Sequence, residues 1–246
     1  VYWVLYPAWP WASGYTRGVL NYSSRTDLRA QVEAGADHRA VSFAPFQNTD
    51  VATLALDPTL RDRFEPLIAP LYRDNCAACH GRSAEGRDGF PSLTDDHWLW
   101  SGAPEEIETT IRYGINARHD ETRFAQMPAF GRDDLLEGTH LTDVAEFVLK
   151  ISGQDHDLPS AERGAQVFLE NCAGCHAEDG AGGYENGAPS LTDRNWIYGG
   201  DRAALLGTLE SGRAGVMPAW SGRLSPAEIR QLTLYLIWAG QTGDHD

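Results

Sequence analysis

Cys76-Ala77-Ala78-Cys79-His80 recurs as Cys172-Ala173-Gly174-Cys175-His176, and the two copies use all four cysteines of the 246-residue chain. C-x-x-C-H is the attachment signature of a c-type haem: the thiols form thioethers with the two vinyl groups, and the adjacent His reaches the iron from one side. A redox dithiol, half a zinc site and a structural disulfide are the other readings of C-x-x-C. None of them requires a His directly after the second Cys, and none explains two copies. The sequence therefore predicts two covalently bound haem c groups, on Cys76 and Cys79 with His80, and on Cys172 and Cys175 with His176.

The chain has only two methionines, and each opens an M-P-A-aromatic stretch: Met127-Pro128-Ala129-Phe130 and Met217-Pro218-Ala219-Trp220. Met127 lies 47 residues after His80, and Met217 lies 41 after His176. A thioether is a soft ligand suited to haem iron. Methionines used as core filler would scatter rather than head matching stretches. Met127 and Met217 are thus the expected sixth ligands.

Outward from these motifs, the halves align. Pro91-Ser92-Leu93-Thr94-Asp95 matches Pro189-Ser190-Leu191-Thr192-Asp193 at an offset of 98, whereas the Met stretches are offset by 90. The first unit thus carries about eight extra residues before its Met, including Asn116 to Thr122. Helices are expected from Pro104, over 140–152 with Val144, Phe147, Val148 and Ile151 inward, and over 201–211. A last helix opens on the Ser225-Pro226-Ala227-Glu228 capping box, with Ile229, Leu232, Leu236 and Ala239 as its inner stripe. The repeat implies duplication of one small, mostly helical unit, over 66–153 and 154–246, joined where Gly153 and Pro159 break the chain. Buried haem supplies much of the apolar volume such small units lack.

The net charge is −15, with −7 in residues 66–153, −7 in 154–246 and −1 in 1–65. Acidity of this kind argues against nucleic acid, whose phosphates need a basic patch. It suits a basic protein partner through electrostatic steering, or simply a solvated surface. Covalent haem attachment points to an extracytoplasmic compartment rather than to structural disulfides.

The N-terminus reads Val1-Tyr2-Trp3-Val4-Leu5-Tyr6-Pro7-Ala8-Trp9-Pro10-Trp11, resembling an interfacial aromatic belt. Six residues before Pro7 are too few to span a bilayer, which needs about 20. Residues 1–12 are read as the outer end of a transmembrane anchor missing from this sequence, the alternative being an aromatic arm packed on a soluble domain. A helix is expected over 26–41, with Thr26 or Asp27 as N-cap and Leu28, Val32 and Ala36 on one face. Residues 42–66, broken by Pro45, Pro58 and Pro66, are read as connector with a short helix at 58–64.

Each half resembles a class I cytochrome c domain. The stretches Tyr6-Pro7-Ala8-Trp9-Pro10, Gly14-Tyr15-Thr16-Arg17-Gly18-Val19-Leu20-Asn21-Tyr22-Ser23-Ser24-Arg25, Leu93 to Gly102 and Met217 to Leu224 resemble the diheme subunit (CcoP or FixP) of cbb3-type cytochrome c oxidases. That resemblance implies a mostly α fold, with two tandem cytochrome c domains behind a membrane-proximal segment and a partner-contacting connector over 13–65. It implies a bacterial inner-membrane protein with periplasmic haem domains and an N-terminal anchor. It implies electrons taken from soluble cytochrome c or the bc1 complex and passed to a monohaem cytochrome c subunit, then to a catalytic haem–copper subunit. By the same resemblance His80 and Met127 hold one haem, and His176 and Met217 the other. The chain is then no enzyme by itself but part of an oxidase complex. A free periplasmic diheme carrier is the alternative. A diheme peroxidase would need one haem able to open a coordination position, against which the two matching Met stretches argue.

Beyond these ligands, Tyr113, Trp98, Trp196, Trp220 and Phe130 are candidates to pack on haem, and Arg112 and Arg213 to pair with its propionates. His97 and His119 are possible rival ligands at the first haem. His38, His140, His156 and His245 have no repeat equivalent and receive no role.

Overall fold

The computed structural model describes residues 1–11, 14–15, 17–46 and 49–242. Ala12, Ser13, Thr16 and His245, which figure in the sequence reading, lie outside them. The chain divides into two compact units, Val1–Asp50 and Val51–Asp246. Among the described residues no helix is long and apolar enough to cross a membrane.

In the first unit a short helix α1 (Tyr2–Leu5) precedes two antiparallel two-residue strands, Pro10–Trp11 and Gly14–Tyr15. Rings pair within it: Tyr2 stacks on Tyr6, Trp3 meets Trp9 edge-on, and Tyr6 meets Tyr22 edge-on. Helix α2 (Ser24–Phe43) starts two residues before the expected span, because Ser23 rather than Thr26 is the N-cap and accepts from the Thr26 N–H at 3.4 Å. Leu28, Val32 and Val41 on this helix are exposed.

The second unit holds α3 (Val51–Ala55), α4 (Pro58–Asn75), α5 (Ala77–His80), α6 (Pro104–Tyr113), α7 (His140–Ile151), α8 (Leu158–Asn171), α9 (Ala173–His176), α10 (Arg202–Ser211) and α11 (Pro226–Thr242). Of the connector expected over 13–65, residues 51–65 belong to the second unit. Val51, Leu54 and Ala55 are buried, α3 packs on α11, and the helix expected at 58–64 runs unbroken to Asn75. Pro66 and Pro70 do not stop α4, although each removes an amide hydrogen. They are four apart and both exposed, so the carbonyls they strand, those of Asp62 and Pro66, share one face.

The packing does not follow the sequence halves. The last helix of the second half, α11, packs on α3, α4 and α6 of the first, while the last helix of the first half, α7, packs on α8 and α10 of the second. Each half thus closes on the other rather than on itself. Helix α11 is buried on nearly every side between Leu232 and Leu236, with Trp238 also buried, because three helices surround it. The capping box that opens it forms as expected: Ser225 N–H donates to Glu228 Oε2 at 2.8 Å and Glu228 N–H to Ser225 Oγ at 3.3 Å. On α7 the inward residues are Val144, Ala145, Val148 and Leu149 with Asp143 and Glu146, while Phe147 and Ile151 are only partly buried. At the α7–α8 crossing, a Cβ on Gly164 would lie 1.9 Å from the Asp143 carbonyl oxygen, so the two backbones approach as closely as glycine allows.

Candidate haem-attachment centres

Both C-x-x-C-H motifs sit on a single helical turn that follows a long helix. Helix α4 ends as Cys76 N–H donates to the Tyr72 carbonyl, and α8 ends as Cys172 N–H donates to that of Phe168, both at 2.8 Å. The next turn closes with Cys79 and His80 donating to the Cys76 carbonyl at 3.1 and 3.0 Å, and Cys175 and His176 repeat the pattern on Cys172 at the same distances. The two thiols of each motif are thereby fixed one turn apart. The Tyr72 hydroxyl donates to the Gly81 carbonyl at 3.0 Å, which pins the chain beyond the first motif.

No disulfide joins the four cysteines; the second of each pair is exposed, and the first is at least half-buried. Burial pushes the Cys76 thiol up to about 12 and the Cys172 thiol to about 11, with the neighbouring Cys79 or Cys175 adding to the shift. His80 Nδ1 lies 3.0 Å from the Pro91 carbonyl oxygen, and His176 Nδ1 lies 2.9 Å from that of Pro189. A carbonyl only accepts, so each Nδ1 carries the hydrogen and each Nε2 keeps its lone pair for a metal. Burial lowers both imidazole pKa values, opposed in part by the same carbonyl bonds, and so favours the neutral form that ligates. Free paired thiols beside a His with an oriented, unprotonated Nε2 are the donor set that haem c requires. The Pro91 and Pro189 loops face each other across a cleft of 680 Å³, which Trp98 and Trp196 also line.

The two Met loops pair with each other across the halves, each leading into the half that does not carry it. Met127 N–H donates to the Arg213 carbonyl at 2.8 Å and Arg213 N–H returns to Met127 at 3.0 Å. Ile115 and Met217 make the equivalent pair, at 2.9 and 3.0 Å. The approach leaves no room for side chains: a Cβ on Gly114 would lie 2.3 Å from the Met217 carbonyl oxygen, and one on Gly212 would lie 2.5 Å from that of Met127. Met127 packs against the core cluster that holds Cys172, Phe168, Leu205 and Leu209, in the second half. Beyond Met217, Trp220 and Ser221 N–H donate to the Ile111 and Arg112 carbonyls of α6, in the first. Asn116, within the extra residues of the first repeat, binds both loops, its Nδ2 donating to the Ala125 and Gly215 carbonyls at 2.7 and 2.8 Å. Met127 therefore lies with the His176 motif, and the Met217 loop with the half that carries His80.

Two buried carboxylates lock the exchanged helix α7 in place. Asp143 accepts from Thr139 and from Arg163 of α8, and Glu146 accepts from Arg202 of α10 and from the Asp157 N–H. The arginine hydrogen bonds hold both carboxyls below the usual carboxylate range, against burial, which acts the other way.

The remaining candidates separate. Phe130 and Trp196 belong to the second-half cluster. Tyr113 lies against the His119 ring, and Trp220 under the Arg223 guanidinium. His97 is held between Asp96 of its own loop and Asp193 of the other half, and His119 Nδ1 accepts from the Glu121 N–H, so both rival ligands have partners of their own. Arg112 pairs with Glu108 one helical turn away. The repeat counterpart of Arg213 is instead Arg123, which the sequence reading missed. Its signal was position, since both precede a Met by four residues.

The family model described as cytochrome C oxidase, cbb3-type, subunit III matches twice, at residues 67–148 and 159–236. The cbb3-type cytochrome c oxidase subunit CcoP of Cereibacter sphaeroides is 46% identical over 240 residues, covering 97% of this chain and 83% of the relative. The FixP subunits of Bradyrhizobium sp. (strain ORS 278) and Azorhizobium caulinodans are 42% and 44% identical, each over 81% of its own length and 96% and 97% of this chain. Two motif-bearing halves and these matches along nearly the whole sequence place the chain in the cbb3-type cytochrome c oxidase subunit III family.

Proposed function

We propose that the chain is the diheme electron-transfer subunit of a membrane-bound haem–copper terminal oxidase. It accepts electrons from soluble cytochrome c or the bc1 complex and delivers them, through a monohaem subunit, toward the oxygen-reducing subunit. In this reading it makes and breaks no substrate bonds itself. The observation that carries the proposal is the reciprocal pairing of the Met loops, which builds both attachment centres into one packed body. It supports His80 with Met217 as one ligand pair, and His176 with Met127 as the other.

Bound haem c supplies one-electron redox chemistry at each centre. The chain's own residues do the rest. The cysteine thiols anchor the group covalently, and the Pro91 and Pro189 carbonyls hold each imidazole in its ligating tautomer. Met127 and Met217 would supply the second iron ligand at each centre, so no position would be left for oxygen or peroxide, and a thioether would favour the ferrous state. Pro128 and Pro218 have no N–H and a fixed φ, which stiffens the loop behind each sulfur.

The first unit supports a subunit over a free carrier, since haem attachment needs none of it. Trp3 and Trp9 are 60% and 53% exposed beside exposed Tyr2 and Val4, a surface suited to a membrane face. The exposed apolar residues of α2 suit a protein partner, and the acidic haem-bearing body suits a basic donor. The centres then lie on the periplasmic side of the inner membrane. Deleting residues 1–50 from the full-length protein, with its anchor rejoined at Val51, tests this assignment. Two haems per chain should remain while recovery with the oxidase and oxygen uptake are lost. Normal co-purification and oxygen uptake by the deleted form would refute the docking role.

A further inference from the structure

Arg123 carries a charge that its protein partners only partly meet. Its side chain is 11% exposed, and Nη2 contacts the Glu106 carboxylate. The Trp100 ring lies below the guanidinium, with Cζ 4.9 Å from the ring centroid. Nε and Nη1 are buried and make no hydrogen bond. A guanidinium keeps its charge at any accessible pH. A buried donor left unpaired is costly. Glu106 meets one nitrogen out of three, so the site calls for a further acceptor, and an anionic one binds a guanidinium best.

The location indicates which acceptor. Arg123 N–H donates to the Gly114 carbonyl at the end of α6, and its side chain reaches back to Glu106 on the same helix. Helix α6 packs on α11, as does α4, which leads into Cys76. Arg123 is thereby tied to α6, in the half that carries the first motif, while Met127, four residues on, packs in the other half. The repeat places Arg213 in the same way, 4.4 Å over the Tyr198 ring and bound to Thr208 Oγ1, while Met217 crosses back.

We propose that Arg123 binds a propionate of the haem attached through Cys76 and Cys79, and that Arg213 is its counterpart at the haem attached through Cys172 and Cys175. Thioether attachment leaves both propionates of a haem ionised, so each centre brings the anions that a buried guanidinium lacks. The inference rests on the diheme reading above. It adds that each Arg-to-Met segment ties the propionate end of one haem to the iron of the other.

The test uses the full-length chain matured with haem. Haem count by pyridine haemochrome checks the diheme reading separately: fewer than two per chain in the unsubstituted protein would sink that reading and this one with it. With two present, Arg123→Gln should lower one of the two midpoint potentials, because removing a cation favours the ferric state. A tenfold change in that equilibrium is about 59 mV for one electron. The same potential should gain pH dependence near neutrality as the propionate becomes easier to protonate, and Arg123→Lys should restore most of both. Glu106→Gln, which removes the competing carboxylate, should move that potential upward. Arg132→Gln, at an exposed pair with Asp133, serves as the charge control and should move neither. Should Arg123→Gln mature poorly, Glu106→Gln and Arg123→Lys carry the decision. Two haems with potentials and pH dependence unchanged across the Arg123 and Glu106 variants would reduce Arg123 to a structural partner of Glu106 and overturn the proposal.

Discussion

Cutting the chain at the boundary between the repeats should destroy both halves. A fragment of residues 51–153 keeps α3 to α7 but loses α11, whose Ile229, Leu232, Leu234 and Leu236 are buried in a helix that packs on α3, α4 and α6. Burying one such side chain contributes about 1.5–3 kcal/mol, so four contribute about 6–12 kcal/mol. That matches the whole stability of a typical domain, about 5–15 kcal/mol. The same cut exposes Val144, Val148 and Leu149 of α7, which belong to the cluster of the second half. The fragment should therefore show no cooperative thermal transition by circular dichroism, and its haem should show no Met-to-iron absorption band. A recombined chain, residues 51–115 joined by a short turn to 217–242, restores α11 and Met217 and should recover both signals. Cooperative folding of 51–153 with an intact Met-to-iron band would refute the exchange.

Two further outcomes follow from the same packing. In the intact oxidised chain, Met127→Ala and Met217→Ala should each halve the Met-to-iron band, and His80→Gly should leave only the contribution of Met127; a full band in either Met variant would remove that residue as a ligand. Asp143 and Glu146 have folded pKa values depressed below the ordinary 3.8 and 4.5, so their contribution is complete above the unfolded values and is lost as pH falls through that range toward the folded ones. Glu146→Gln should cost about 2 kcal/mol at pH 7, lower Tm by about 4–8 °C, and flatten the decline in stability below pH 4.5, all read from thermal melts across pH.

Much of the site was legible because its chemistry is local. The thiol spacing, the adjacent His and the Pro that fixes its tautomer lie within one turn and one loop of each other. Caps such as the Ser225–Glu228 box act over three residues and also read directly. The connector at 42–66 misread because proline was taken as a helix breaker; Pro66 and Pro70, spaced one turn apart on the outer face, are tolerated inside α4. Arg123 escaped notice because a partly satisfied guanidinium is a property of packing, visible only once its neighbours are placed.

By itself the sequence determined the two C-x-x-C-H motifs, the helical repeat and the family. Which half each Met loop packs on was decided only in three dimensions. The two halves repeat the same order of elements, so that order alone does not decide which closing helix packs on which half. Chain connectivity breaks that degeneracy. Only residues 152–157 separate α7 from α8, and so short a link favours antiparallel packing of the two helices it joins. Glu146 tightens the link by accepting from the Asp157 N–H at 2.7 Å. With α7 committed to the second half, α11 fills the place left open in the first, and the methionines follow their helices.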